Sequence, residues 1–198
     1  YTKNSIAHGT ITIEGIEVTT FRKDVATDGR NATVEWATII EEDLSRRDIT
    51  INAIAKNVYT GEIIDPFNGI EDIKRKIIRA VGNPQERLDE DTLRALRAIR
   101  FANKFGFEIE YNLFHAIVKT DISNLSIERV REEFMKILET RNSKYFGSIL
   151  LKVIPEFEIL NNLNGGDKHI ETVDQHSIMT MQNMMKSSFK PLNSFIAL

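Results

Sequence analysis

The sequence predicts an α+β fold: strand-like alternation occupies its first part and helical periodicity the rest. Two observations carry this. Thr10 to Arg22 alternates through Ile11, Ile13, Ile16 and Val18, with Glu14-Gly15 between the halves, which is a hairpin by period and by turn residue. After about residue 82 the apolar residues recur at helical spacing. In between, Val34–Ile40 is a further strand candidate. Asp43 is expected to start an amphipathic helix with Leu44, Ile51, Ile54 and Ala55 on its inner face and Asp43 or Ser45 as cap. Gly61 closes that element, Ile63-Ile64 reads as a short strand, and Asp65-Pro66 turns the chain. Helices are expected near 89–105, 111–119, 126–139, 142–152 and 171–187, with one flexible loop at Asn161-Asn-Leu-Asn-Gly-Gly166. No internal repeat or low-complexity segment occurs.

Composition bounds the function classes. The 198 residues are long enough for one large domain or two small ones, with 41% hydrophobic and 28% charged residues, ordinary values for a globular chain. No apolar run approaches membrane-spanning length, so no membrane partner is expected, and the N-terminus has no signal-peptide shape. The absence of cysteine excludes disulfides and thiolate metal sites and agrees with a cytoplasmic location. With a net charge of −3, the field of the whole chain does not attract nucleic acid, so any RNA contact must come from local patches. Residue 1 is a tyrosine and the chain stops at the apolar run Ser194–Leu198, so both ends are expected to be cut from something longer.

The densest chemical signal is Glu90-Asp91-Thr-Leu-Arg94-Ala-Leu-Arg97-Ala-Ile-Arg100. Residues three apart lie side by side on a helix, so Asp91, Arg94, Arg97 and Arg100 form a ladder. Like charges so placed repel unless something anionic sits over them. The rest of the segment (Leu93, Ala95, Leu96, Ala98, Ile99, Phe101, Ala102, Phe105) is apolar, which belongs in an interior, where arginine is rarely found unpaired. A ladder of this kind suits a polyanion with a hydrogen-bonding end, and a nucleotide fits. The second cluster is Asp43-Leu-Ser-Arg46-Arg47-Asp48-Ile-Thr-Ile-Asn52-Ala. Its bland reading is a helix N-terminus with acids and bases at the surface. Arg47, Asp48 and Asn52 crowd an otherwise apolar segment, however, and a guanidinium can fork onto phosphate while a carboxylate accepts from ribose hydroxyls.

Arg46-Arg-Asp-Ile-Thr-Ile-Asn-Ala53 resembles the RRDFTINA motif of class II tRNA nucleotidyltransferases, the CCA-adding enzymes and bacterial poly(A) polymerases. Further blocks follow in that family's order: His8-Gly-Thr10, Glu17–Arg22, Asp65-Pro-Phe-Asn-Gly69, Ile77–Gly82, Arg87–Arg94 and Glu128-Arg-Val-Arg131. The resemblance implies template-free addition of nucleotides to the 3′ end of RNA, with CTP, ATP and the tRNA 3′ end as partners and Mg2+ as cofactor. It implies that Arg47 contacts the triphosphate and Asp48 the ribose, with Asn52 beside them. Asp91 and Arg94 would present a hydrogen-bonding edge to the base, supported by Arg97 and Arg100. Glu17 stands where the family has a third carboxylate near its catalytic pair; by spacing alone it is a solvent-facing strand glutamate.

The chain departs from the family in ways that matter. The family's first motif, a Gly-Gly turn followed by an Asp-x-Asp pair that holds metal, is expected upstream of residue 1, and Asp24 and Asp28 are too far apart to replace it. The chain alone is therefore expected to be inactive. Ile49 replaces a phenylalanine, and Asn68 a glycine at a loop position that needs positive φ. His169 and His176 form no His-Asp dyad, and Met179, Met181, Met184 and Met185 read as helix core. Ser126–Glu133 reads as a capped, solvated, salt-bridged helix, and the resemblance implies that it braces the nucleotide-binding helix.

The resulting expectation is a partial palm-like nucleotidyltransferase head over 1–81, a helical neck over 82–140 and the start of a helical body over 141–198. CCA addition is the first expectation; poly(A) polymerase or partial CC- or A-adding activity is the second. A non-catalytic RNA- or nucleotide-binding remnant is the reading from another class.

Overall fold

The computed structural model of the chain describes residues 10–27, 32–140 and 145. The first elements are two antiparallel hairpins. Strands β1 (Thr10–Ile13) and β2 (Ile16–Thr19) pair with Ile13 opposite Ile16, and Glu14 and Gly15 both take positive φ (51° and 81°), as a two-residue primed turn requires. Ile11, Ile13, Ile16 and Val18 share one face, which stays largely exposed among the described residues. Strand β3 (Arg22–Thr27) pairs with β4 (Ala32–Trp36) across an irregularity between Asp24 and Ala26. The strand expected over 34–40 thus begins earlier and ends at Trp36.

The helix expected to open at Asp43 is different in kind. Helix α1 is short (Ile40–Ser45); Asp43 lies inside it, Ile39 occupies its N-cap position, and neither Asp43 nor Ser45 caps it. The chain then extends through Ile49 and makes one 3-10 turn at Thr50–Asn52. Two long-range contacts pull this segment out of a helix: Thr50 N–H donates to the Arg79 carbonyl at 2.9 Å and Val81 N–H to the Asp48 carbonyl at 3.3 Å, with Ile49 bridged to Ala80. Strands β5 (Ala55–Lys56) and β6 (Ile63–Ile64) form a small hairpin. Its loop is shaped by Asn57, whose side-chain oxygen accepts from Tyr59 and Thr60 N–H.

Helix α2 (Gly69–Arg75) has no counterpart in the sequence expectation. Asn68 precedes it at φ 59°, ψ 35°, the left-handed conformation that asparagine tolerates better than most residues. Asp65 accepts from the N–H groups of Gly69 and Ile70 at 2.7 and 2.9 Å, filling two of the donors that a helix start leaves open. Strand β7 (Ile77–Ile78) pairs in parallel with β8 (Glu108–Ile109), so the part beyond residue 82 is not wholly helical.

The helix expected over 89–105 is two helices. Helix α3 (Pro84–Glu90) starts at Asn83, whose side chain accepts from Gln85 N–H, with proline in the first turn where its missing donor costs nothing. Asp91 is extended (φ −156°, ψ 103°) and breaks the run before α4 (Leu93–Phe105), which Gly106 ends in the left-handed conformation. Helix α5 (Tyr111–Lys119) and helix α6 (Ile127–Glu139) lie where expected, although Ser126 makes no side-chain cap bond. The helices expected over 142–152 and 171–187, the 161–166 loop, His169, His176 and the methionine cluster lie outside the described residues, as do His8 and Asp28.

One large core forms around α4. Ala95, Leu96, Ala98, Ile99 and Ala102 are buried against Leu88 of α3, Leu113 and Ile117 of α5 and Ile137 of α6, together with Ile49, Ile78 and Ala80. Burial of each large side chain contributes about 1.5–3 kcal/mol. A smaller cluster joins Leu44, Ala53 and Val81. Ile49 and Ala80 therefore bring the segment around Asp48 into the core of the helical array, and this contact builds the site.

Candidate functional site

Between the end of α1 and the start of α4 lies an open cleft of about 460 Å³, lined by Arg46, Arg47, Asp48, Asn52, Asp91, Leu93, Arg94, Arg97 and Arg129. Five guanidiniums face two carboxylates there, so the cleft is locally cationic on a chain whose net charge is −3. Such a surface holds polyanions by charge-assisted hydrogen bonds.

The segment after α1 supplies one wall. Asp43 is buried and bridges two elements: one oxygen accepts from Arg22 N–H at 3.1 Å, the other from Arg47 Nη2 at 2.8 Å. One terminal nitrogen of the Arg47 guanidinium is thereby held, while the side chain, 43% exposed, lines the cleft. The Asp48 carboxylate is nearly enclosed. Its Oδ1 accepts from Ile49 N–H at 2.9 Å and from Asn52 Nδ2 at 3.2 Å, and its Oδ2 from Arg97 Nε at 2.8 Å. Asp48 and Asn52 are neighbours, as expected, but through the extended residue and the 3-10 turn, not along a helical face.

Behind this wall stands a buried brace. Thr50 Oγ1 donates to Asp72 Oδ2 at 2.5 Å, and Arg79 Nε donates to the same oxygen at 2.9 Å while its Nη2 reaches the Phe67 carbonyl. Gly69 packs so closely that a Cβ there would lie 2.3 Å from the Thr50 carbonyl oxygen. The brace fixes the backbone that presents Asp48.

The other wall is the break before α4. Asp91 lies off the helix, so the ladder of the sequence reading begins at Arg94. Each of its three arginines has an anion supplied by the protein itself: Glu90 for Arg94, Asp48 for Arg97 and Glu133 for Arg100. Arg94 also donates to the Arg87 carbonyl and, through Nη2, to the Arg46 carbonyl at 3.3 Å. Arg100 points away from the cleft, over the Phe101 ring at 4.2 Å, and binds Glu133 Oε2 through Nε at 2.7 Å. Burial works to raise the pKa of Glu133, but hydrogen bonds from Lys136 and Arg100 and their charges outweigh it, and the net shift is downward.

The structure brings together Arg47, Asp48, Asn52, Asp91, Arg94 and Arg97 of the residues singled out by sequence. It places Arg100 outside the cleft, and Glu17 on β2 opposite Thr12, on the hairpin face away from the isoleucines and not among the lining residues. Arg129 is the cleft residue that the sequence reading did not single out. It belongs to the Glu128-Arg-Val-Arg131 block on α6, in what read as a salt-bridged helix, and its partner Asp91, 38 residues away, was not visible there. Among the described residues no three His, Asp or Glu side chains converge to hold a metal, and both cleft carboxylates are taken up by guanidiniums. The described residues do not fit a metal centre. No helix among them is long and apolar enough to cross a membrane.

Two family models match the chain: "Poly A polymerase head domain" over residues 2–79 and "Probable RNA and SrmB- binding site of polymerase A" over residues 106–157. The chain is similar to the CCA-adding enzyme of Ligilactobacillus salivarius, 44% identical over 147 residues, which cover 70% of this chain and 36% of that protein. It belongs to the CCA-adding enzyme and poly(A) polymerase family. Among solved structures, this chain is similar to the Bacillus stearothermophilus CCA-adding enzyme in complex with CTP. The TM-score is 0.65 at 35% identity, covering 88% of this chain and 42% of that one. It is also similar to a tRNA nucleotidyltransferase complexed with a primer tRNA and an incoming ATP analog, with a TM-score of 0.50 at 26% identity, covering 84% and 52%. The α+β architecture is thus that of the nucleotidyltransferase head and the helices that follow it. The chain spans about a third of the length of the curated relatives that it matches. Membership of the family implies a divalent metal in its chemistry.

Proposed function

We propose that this protein adds C and A nucleotides to the 3′ end of tRNA, using CTP and ATP and releasing pyrophosphate, with no nucleic-acid template. The observation that carries the reading is the cationic cleft in which Arg47, Asp48, Asp91 and Arg94 converge. The reaction joins the RNA 3′ oxygen to the α-phosphorus of the nucleotide and breaks that phosphorus's bond to pyrophosphate. In this reading the exposed part of Arg47 takes the triphosphate. Asp48, held by Asn52 and Arg97, accepts from the ribose. Asp91 and Arg94 offer an acceptor and donors to the base edge, so cytosine and adenine, which both carry an exocyclic amino group, can be read by one pair after a small reorientation. A site built to hydrogen-bond a base rejects one whose groups leave it unpaired. Arg100 supports this wall through α6. We keep Glu17 as a candidate active-site carboxylate in a positioning role, and we take the divalent metal that the family's chemistry implies to be Mg2+.

We assign residues 1–81 to the head, 82–140 to the neck that reads the base, and 141–198 to the start of the body, and we place the protein in the cytoplasm. The head-domain family model is named for poly(A) polymerases, which makes poly(A) synthesis the second reading. The test uses the full-length gene product, magnesium and a tRNA transcript lacking its 3′ CCA, with products resolved nucleotide by nucleotide. Two additions with CTP alone and a third, final one when ATP joins support CCA addition. A long ladder with ATP alone supports poly(A) synthesis, and addition that stops after CC, or of a lone A, a partial enzyme. No extension by the folded protein would refute all of these and leave a nucleotide-binding remnant.

A further inference from the structure

We propose that Arg129 is the positioning residue for Asp91 and thereby sets which bases the cleft admits. The inference rests on the base-reading role proposed above and extends it to a residue on a different helix. Arg129 Nη2 lies 3.1 Å from both oxygens of Asp91. Leu93 N–H donates to Asp91 Oδ1 at 3.2 Å. Oδ1 therefore carries two donors and Oδ2 one, so Oδ2 is the oxygen with a lone pair to spare, and the pair of contacts fixes its direction.

That direction has chemical content. The exocyclic N4 of cytosine and N6 of adenine are donors, whereas guanine O6 and the O4 of uracil, like that of thymine, are acceptors. An ionised carboxylate only accepts. A free lone pair held toward the base edge accepts from either amino group and meets O4 or O6 lone pair to lone pair.

Arg129 is the side chain that holds the Asp91 carboxylate. The Asp91 backbone is extended between α3 and α4, and its carbonyl accepts from Arg94 N–H at 3.0 Å, which ties the main chain. The carboxylate itself has, among the described residues, only the Leu93 N–H besides Arg129. Arg94 lies three residues on, within the reach at which i and i+3 side chains meet. Without Arg129, Asp91 can fall onto Arg94, and the two reading groups then satisfy each other. In the structure they are drawn apart: Arg94 by Glu90 and the Arg87 and Arg46 carbonyls, Asp91 by Arg129. Helix α6 delivers Arg129 rigidly, since Glu133, one turn further along, is buried in its pair with Arg100 of α4.

The test measures kcat and KM for CTP, ATP, UTP and GTP on a tRNA transcript lacking its 3′ CCA, using full-length wild type, Arg129→Gln and Arg129→Lys, with thermal midpoints alongside. For Arg129→Gln the ratio of kcat/KM for CTP over UTP, and for ATP over GTP, should fall roughly tenfold, a fraction of the roughly 10⁴-fold that a hydrogen-bonding site can supply, because Asp91 and Arg94 themselves remain. Arg129→Lys keeps the charge on a shorter stem and should lose roughly threefold. Unchanged ratios in both variants overturn the inference. So does a uniform loss for all four nucleotides, which would mark Arg129 as a strut of the fold. If Arg129→Gln is not recovered folded, a lysine variant with wild-type ratios overturns it alone. If wild type extends no RNA, the proposed function fails separately. Calorimetric affinities for CTP and UTP then decide: a ratio that drops in the variants supports the positioning role, and an unchanged ratio or no binding at all overturns it.

Discussion

Replacing Arg100 by methionine tests whether the helix that carries Arg129 is fixed by a buried charge pair. The Glu133 side chain is 5% exposed and Arg100 15%, with the shorter contact at 2.7 Å and Lys136 Nζ at 3.0 Å on the other carboxylate oxygen. Methionine keeps most of the apolar stem, so the change removes the charge, the hydrogen bond and the contact with the Phe101 ring. Breaking one side of a buried pair costs about 3–5 kcal/mol because a charge is left uncompensated. Lys136 still serves Glu133, which puts the loss toward the lower end, about 3 kcal/mol with the ring contact included. Replacing Glu133 by methionine as well removes the stranded charge, so the double variant should recover all but about 1 kcal/mol. The assay is urea unfolding of wild type, both single variants and the double variant at neutral pH, repeated in acid. The Glu133 pKa is lowered in the fold, so its contribution is present above the unfolded value near 4.5 and is lost as pH falls through the folded value. The gap between wild type and Arg100→Met should therefore be full at neutral pH and narrow as pH falls below 4.5 through the lowered folded value. An Arg100→Met variant within about 0.5 kcal/mol of wild type, or a double variant as unstable as the sum of the singles, would refute the reasoning.

Three further outcomes follow from particular contacts. Gly69→Ala places a Cβ 2.3 Å from the Thr50 carbonyl oxygen and 2.9 Å from Ile54 Cγ1. It should cost about 2 kcal/mol or more in urea unfolding, since neither the braced backbone nor the packed side chain yields easily; a neutral variant would show that the brace is soft. At Asn68, with φ 59°, glycine should be neutral or mildly stabilising, whereas valine should cost about 1–2 kcal/mol; equal midpoints for the two would contradict the left-handed assignment. Arg97→Met removes the donor pair on Asp48 Oδ2 and should raise KM for CTP and ATP alike, roughly tenfold, while leaving the choice between them unchanged; a shift in base preference would instead assign Arg97 to the base edge.

What was legible in the sequence was local. The Glu14-Gly15 turn sets the first hairpin, and the apolar spacing of α5 and α6 is helical over their whole length. Arg46–Asn52 misled because Leu44, Ile51 and Ile54 match a helical period by coincidence. The bonds from Thr50 to Arg79 and from Val81 to Asp48 straighten the chain, and no window of local sequence contains both ends. Strands β7 and β8 are two residues each and about thirty apart, too short to leave a period. The break at Asp91 contains neither glycine nor proline. For the site, the arginine spacing was visible but its counterions were not. Glu90 is four residues from Arg94, whereas Asp48 is 49 from Arg97 and Glu133 is 33 from Arg100. The same blindness to distance concealed the pairing of Arg129, in the Glu128-Arg-Val-Arg131 block, with Asp91.

The distribution of those counterions explains why a ladder that should repel itself is stable. A cationic ridge waiting for a ligand would cost the empty protein several repulsive pairs. Here the three arginines are spent on three different elements: the end of α3, the segment after α1, and α6. Each pair also fastens α4 to the element that supplies the acid, so the charges that would hold a nucleotide help to set the walls between which it lies. One of these ties, Arg97 to Asp48, and a further hydrogen bond from Arg94 to the Arg46 carbonyl join the same pair of segments on either side of the cleft. The carboxylate assigned to the ribose and the guanidinium assigned to the base are thereby held in one rigid relation. Loosening either tie lets the sugar shift relative to the base edge, and the roughly tenfold rise in KM expected for Arg97→Met is the measure of that slack.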